Sequence, residues 1–341
     1  MDPASTRPLI ESRMDNRRGD PHREALFSST PSGKRPDFPD HSSVTAMKVI
    51  LAATDFSAPA RHAAERAARL AHEMHASLTL IHVLPGPVRS QWRSWLGATR
   101  AKEQPLSSDV AGQLRHLAEE LVETQHLAVS THESFGSVLD EITTQADALD
   151  AGLIVVGAPG EGFFRRLAIG TTVDRLLGNT SRPMLMVRLA PGAPYRRVLV
   201  AVDFSPWSSL ALGLARCVAP DAHFVLLSAF EVPFGDKLRY AGVDAERIAD
   251  FRDEARTTAI ERLHAFGHEA GLSPTQWTPC IIEGDASHVI VEQEQLTDCE
   301  LVVLGKHGRS FTEDLLLGSV TRHVLAEGSR DVLVSMRSTR D

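Results

Sequence analysis

The chain has 341 residues, 43% of them hydrophobic and 23% charged, with a formal net charge of −8. That length suits two ordinary domains rather than one core, and the acidic balance gives a nucleic-acid partner no general electrostatic help. No apolar run approaches the roughly 20 residues of a membrane-spanning helix, and three cysteines without CxxC spacing (Cys217, Cys280, Cys299) point to small core residues in a reducing cytoplasm rather than to disulfides or zinc.

In chain order, residues 1–46 are dense in Pro, Ser, Asp and Arg, and a disordered tail is expected because so little apolar surface offsets the entropy of ordering. Its seven basic and seven acidic residues balance, which argues against a DNA-binding arm. Val49–Ala53 then reads as a strand and Ala58–His75, rich in alanine with charges every three or four residues, as an amphipathic helix. Leu78–Leu84 is a second strand. Gln113–Gln125 is helical, with Leu114, Leu117 and Leu121 on one face, and Leu127–Thr131 is a weaker strand. Val138–Leu149 is a helix, Leu153–Val156 a fourth strand, Val173–Leu177 part of a short helix and Met184–Val187 a fifth strand. Leu189–Tyr195, with Pro191, Gly192 and Pro194, forms a linker.

The pattern then recurs at an offset of 148 residues. Asp55 pairs with Asp203, Ser57 with Ser205, Gly136 with Gly284, and Leu153–Gly157 with Leu301–Gly305. Two domains are expected, at 47–188 and 196–337, joined by 189–195. Strands alternating with helices imply a parallel, doubly wound α/β sheet of five strands in each copy. Ligands of such sheets sit beyond the carboxyl ends of the strands, where strand order reverses. Asp55 and Gly157 both fall directly after strands.

The most specific signal is a spaced glycine pair. Gly157-Ala158-Pro159-Gly160 is followed, nine residues on, by Gly170-Thr171; Gly305-Lys306-His307-Gly308 is followed at the same spacing by Gly318-Ser319. A glycine leaving a strand permits a sharp turn and close approach of a ligand to the backbone. The second pair opens a helix, where unpaired N–H groups and the helix dipole favour an anion. Such a frame can hold phosphates without a lysine-based P-loop, although duplicated turns can also persist without a ligand. The aspartates have an equally ordinary reading as helix caps or turn residues.

With both Asp-x-Ser turns and both glycine sets in place, the chain resembles the ATP-binding branch of the universal stress proteins, in the tandem, two-domain form. The resemblance implies two Rossmann-like domains of the adenine nucleotide alpha hydrolase-like kind and dimer-like pairing through the last strand. That pairing makes an internal pseudo-dimer, with a homodimer of chains as a further option. It also implies binding of ATP, with or without Mg2+, partner proteins not identified by sequence, and a regulatory or sensing role in stress rather than a metabolic reaction. Carried over by position, Asp55, Ser57, Asp203 and Ser205 would lie near adenine and ribose, and Val83 would border the adenine. Gly157, Gly160, Gly170 and Thr171 would hold phosphate in copy one, and Gly305, Gly308, Gly318 and Ser319 in copy two.

The copies differ. Pro159 removes a backbone donor from the first loop and Glu161 adds a negative charge, which Arg165 and Arg166 could offset. In the second, Lys306 and Arg309 could meet phosphate oxygens, or else form a solvated face. The repeat offset puts Glu231 where copy one has Val83, an obstacle to adenine unless Val232 has slipped into its place. Asp331 replaces Pro183 before the final strand. Copy two is therefore expected to hold phosphate better. No paired base and nucleophile at family-like spacing, P-loop lysine or metal-ligand cluster is read from the sequence, so an efficient enzyme is not expected. His307, in the second loop, could polarise a phosphate oxygen and make nucleotide binding pH-sensitive, although a lone loop histidine more often faces solvent. A slow ATP hydrolase and a nucleotide-free scaffold are the alternatives.

Overall fold

The computed structural model describes residues 47–85, 104–159, 171–231, 244–308 and 317–336; the expected tail lies outside them. The first apolar run forms β1 (Val49–Ala53). Helix α1 (Ala58–Glu73) follows, capped where Ser57 Oγ accepts from Ala60 N and opened by Pro59 in its first turn. Then come β2 (Ser77–Pro85), α2 (Gln104–Gln125), β3 (Val129–Gly136), α3 (Val138–Ala148), β4 (Leu153–Gly157), α4 (Thr171–Asn179) and β5 (Met184–Val187). The second copy repeats them as β6 (Arg197–Ala201), α5 (Pro206–Val218), β7 (His223–Phe230), α6 (Ala245–Glu269), β8 (Trp277–Glu283), α7 (Ala286–Leu296), β9 (Leu301–Gly305), α8 (Ser319–Glu327) and β10 (Asp331–Ser335).

All ten strands form one sheet, ordered β3-β2-β1-β4-β5-β10-β9-β6-β7-β8. Pairing is parallel within each copy, and β5 meets β10 antiparallel, with Leu185 opposite Leu333. The seam is thus the expected last-strand pairing, made within one chain. Because it is antiparallel, the carboxyl ends of the two sets of strands lie on opposite edges of the sheet. Alternate side chains feed two cores: Ile50, Ala52, Val198 and Val200 enter one, Leu51 and Leu199 the other. Both faces are covered, so the central strands are apolar throughout instead of alternating. Alanines 63, 64, 67, 68 and 71 give α1 a smooth buried stripe, and Arg66 is buried among them.

That arginine reaches a carboxylate buried in the seam. Asp331, fully buried, accepts from Arg188 N (2.7 Å), Leu189 N (2.9 Å) and the Tyr195 hydroxyl (2.6 Å), with Arg66 Nε at 3.6 Å. Arg66 also lies over the Tyr195 ring, 4.1 Å from its centroid, and donates to Ala193 O at 2.8 Å. Burial and the neighbouring carboxylate push the Tyr195 hydroxyl well above its usual pKa, so it stays a donor.

Two elements depart from the sequence reading. Helix α2 starts nine residues earlier than expected, at Gln104 rather than Gln113. Strand β3 runs from Val129 rather than Leu127 and continues past Thr131 to Gly136, because its eight-residue register against β2 decides its extent over a weak local pattern.

The cysteines are free. Burial pushes the Cys299 thiol up to about 12, with help from Glu294, and raises Cys217 and Cys280 as well.

Asp285 caps α7, its Oδ1 accepting from Ser287 N at 3.0 Å and His288 N at 3.3 Å. The Ser287 hydroxyl bond, aided by His288 and opposed by slight burial, lowers this carboxyl from 3.8 to about 2. A depressed folded-state pKa means that the cap is fully stabilising above about pH 4 and is lost as pH falls through about 2. Asp285→Ala is expected to reduce stability by about 1 kcal/mol near neutral pH. In urea titrations the gap from the native chain should close as pH falls from about 4 towards 2; a gap independent of pH would refute this account.

Candidate functional site

In each copy the first strand has neighbours on both sides that leave in opposite directions along the sheet, β2 and β4 around β1, β7 and β9 around β6. The switch point therefore lies beyond the carboxyl ends of β1 and β4, and of β6 and β9. The Asp-Phe-Ser turns occupy one side of it. Asp55 Oδ1 accepts from Ser57 N and Asp203 Oδ1 from Ser205 N, both at 3.0 Å, closing Asx turns before the helices. The intervening phenylalanines take left-handed backbone angles, φ 65° at Phe56 and 62° at Phe204. Such geometry in a bulky residue costs on the order of 1–3 kcal/mol and clusters at functional sites. Each ring is anchored: Phe56 stacks on His82 at 4.6 Å, and Phe204 meets Phe266 edge-on at 6.3 Å with Arg262 over its face at 4.2 Å. The sequence reading overlooked these phenylalanines, although the repeated Asp-Phe-Ser tripeptide was their signal.

The glycine loops leave the neighbouring strands. Gly157 lies so close to α1 that a β-carbon would stand 2.6 Å from the carbonyl carbon and oxygen of Pro59; on Gly305 it would stand 2.7 Å from the Trp207 β-carbon. These first glycines are needed for packing. Gly308 is different: a β-carbon there would be 3.2 Å from Asp203 Oδ2, so the loop glycine and the turn aspartate of copy two face each other. The loop is framed by Lys306 N bonded to Ser335 O, Gly318 N to Lys306 O (both 3.0 Å) and Thr321 Oγ1 to Gly305 O (2.8 Å). In copy one, Ala158 N bonds Val187 O at 2.8 Å, repeating the first of these. Gly318 is the N-cap of α8 and Ser319, exposed, its first residue. Thr171 likewise opens α4. Gly160, Glu161, Arg165, Arg166, Gly170 and Arg309 lie outside the described residues.

Three expectations are corrected here. His307 does not face solvent: it is buried, its ring meeting Trp207 at 5.2 Å. Lys306 is also buried, not part of a solvated face, because the backbone is tied to β10 on one side and to α8 on the other. On the base side, the position of Val83 is filled in copy two by Ala229, not by Glu231 or Val232. Ala53 pairs with Ile81 and Ala201 with Leu227, so β7 stands two residues out of the 148 offset. Val83 and Ala229 both lie half-buried against the same core, and the obstacle to adenine disappears.

Among the described residues no helix is long and apolar enough to cross a membrane, and no group of three or more His, Cys, Asp or Glu side chains could hold a metal ion.

The model of the universal stress protein family matches twice, over residues 47–188 and 194–335. The chain belongs to the universal stress protein family. Curated relatives include a universal stress protein of Mycobacterium tuberculosis, 24% identical over 276 residues, covering 76% of this chain and 88% of the relative. One of Mycolicibacterium smegmatis is 26% identical over 303 residues, covering 84% and 96%. The fold is shared with a universal stress protein from Archaeoglobus fulgidus (TM-score 0.59, 17% identity, 86% of this chain and 99% of that one). It is shared as well with a putative one from Pseudomonas aeruginosa (TM-score 0.58, 21% identity, 86% and 94%). The tandem arrangement and the parallel sheet of each copy agree with this membership.

Proposed function

We propose that this universal stress protein binds an adenine nucleotide, ATP with or without Mg2+, at the switch point of each copy, and acts as a cytoplasmic stress sensor or regulator. The observation that carries the reading is the approach of Gly308 to Asp203 in copy two. Two motifs about a hundred residues apart in sequence converge there, one suited to sugar or base and the other to phosphate. Val83 and Ala229 offer apolar walls at equivalent places. Occupancy would act by changing which proteins the chain meets. Copy two, with Lys306 in its loop and no proline, is the stronger phosphate site in this reading.

Purified protein, denatured and analysed by absorbance and mass, is expected to release ATP or AMP, and stripped protein to rebind ATP saturably. No nucleotide on release and no saturable binding at millimolar ATP would overturn the proposal in favour of a nucleotide-free scaffold.

A further inference from the structure

We infer that the outer edge of copy one, strand β3, is an interaction surface whose partner is a second copy of this chain, joined β3 to β3 in one antiparallel register. The last-strand seam is closed within the chain, so the sheet can grow only at its two ends, β3 and β8. These ends are not equally open.

Along a strand in a parallel pair, successive residues turn their N–H and C=O alternately towards the neighbour and away from it. Leu78 N bonds Ala128 O, and β3 pairs with β2 residue for residue up to Gly136. Even-numbered residues of β3 therefore face β2, and Val129, Thr131, Glu133 and Phe135 face outward. In copy two, Phe224 N bonds Gln276 O and Gly284 N bonds Phe230 O, which turns Trp277, Pro279, Ile281 and Glu283 outward from β8. Pro279 thus stands at an outward position, where it removes a donor and guards the edge. Its repeat in copy one is Thr131, and each outward residue of β3 keeps its N–H. Among the described residues, none bonds the outward backbone groups of Val129, Thr131 or Glu133.

An open edge alone accepts any extended segment; the side chains of β3 commit it to its own copy. A closed pair of identical chains has a two-fold axis, and equivalent strands joined across it run antiparallel. Bonds then form between outward residues only, so the register can shift only in steps of two. Centring on His132 sets Thr131 against Glu133 and Val129 against Phe135. This register uses all four outward residues and gives the exposed Phe135 ring a β-branched neighbour. Shifted one way, Phe135 passes beyond the end of β3; shifted the other, Glu133 meets Glu133 and the like charges repel. In the favoured register His132 meets its own copy at the axis, in a pair without backbone bonds, where opposed side chains lie closest. One imidazole N–H can donate to the other ring there.

The test is light scattering of the full chain over a dilution series, and it does not depend on the nucleotide reading. The mass is expected to rise with concentration from 37.2 kDa towards twice that value, in the micromolar range because one strand pair is a small interface. Thr131→Pro gives copy one the guard of copy two and removes no bond to β2. It should weaken the pair about a hundredfold, since a donor is lost on both sides of the axis. His132→Asp and His132→Lys should each weaken it about tenfold, because like charges then meet, and an equimolar mixture of the two should pair at least as well as the native chain. A native chain that stays monomeric up to about 200 µM would overturn the inference, leaving the edge to another occupant or to none. Undiminished pairing in Thr131→Pro with native circular dichroism would overturn it by moving the contact elsewhere. A mixture of the His132 variants that pairs no better than either alone would also overturn it, and this comparison decides the matter even if Thr131→Pro fails to fold.

Discussion

Replacing Asp331 by alanine is expected to lower the stability of the chain by about 3–5 kcal/mol, the usual consequence of removing one partner from a buried charged pair. The substitution would leave the Arg66 guanidinium buried with no acid, and would take the acceptor from Arg188 N, Leu189 N and the Tyr195 hydroxyl together. Each such orphaned donor carries its own desolvation penalty of about 1–3 kcal/mol, partly relieved by relaxation. Asp331→Asn keeps one carbonyl oxygen for the two backbone donors but points an amide N–H2 at Arg66, so it should recover only part of the loss. Urea denaturation followed by circular dichroism measures both; a loss under about 1 kcal/mol for the alanine variant would show the network to be incidental.

The second large effect separates packing from binding in the glycine loops. Gly157→Ala must move backbone, since its β-carbon would meet Pro59 at 2.6 Å, and should cost about 1–3 kcal/mol. Gly308→Ala meets only Asp203 Oδ2, at 3.2 Å, a side-chain atom that can yield by a few tenths of an ångström. Its stability should stay within about 0.5 kcal/mol of native, while nucleotide binding at copy two falls because the added methyl occupies the gap between loop and aspartate. Loss of binding in Gly157→Ala would therefore say little about phosphate contact. The same loss in Gly308→Ala, with unchanged thermal unfolding, would locate the ligand. Unfolding shifts of equal size in the two variants would contradict this account of the loops.

Much of the architecture was legible because the strands that matter are short, apolar and repeated. β1 and β5 run over the residues that their composition marks, and the Asp-x-Ser and glycine motifs land at strand ends. The alignment of Val83 with Glu231 failed for a specific reason. Helix α5 ends at Val218, three residues short of the position that repeats the end of α1, so β7 is displaced; by β8 the offset is restored. A constant offset at both ends concealed a compensated slip between them. Burial of Lys306 and His307 was hidden because Gly-Lys-His-Gly reads locally as a polar loop, whereas backbone bonds from two other elements draw it inward. Asp331 looked like a departure from the pattern of copy one. Its partner, Arg66, stands on a helix far away in sequence, and nothing local to either residue announces the pair.

The pairing of Arg66 with Asp331 also decides which strands can form the seam. Position 331 repeats Pro183, and position 66 repeats Leu214. If two chains joined through β10 alone, each Asp331 would be buried beside Leu214 with no cation. If they joined through β5 alone, each Arg66 would be buried beside Pro183 with no acid. Only β5 against β10 brings the two charges together, and fusion of the copies supplies that combination in every molecule. A symmetric pair of separate domains could not hold unlike residues at the two ends of its seam. The fused chain can, and so its own second half is a better partner for the first than another copy of that half would be.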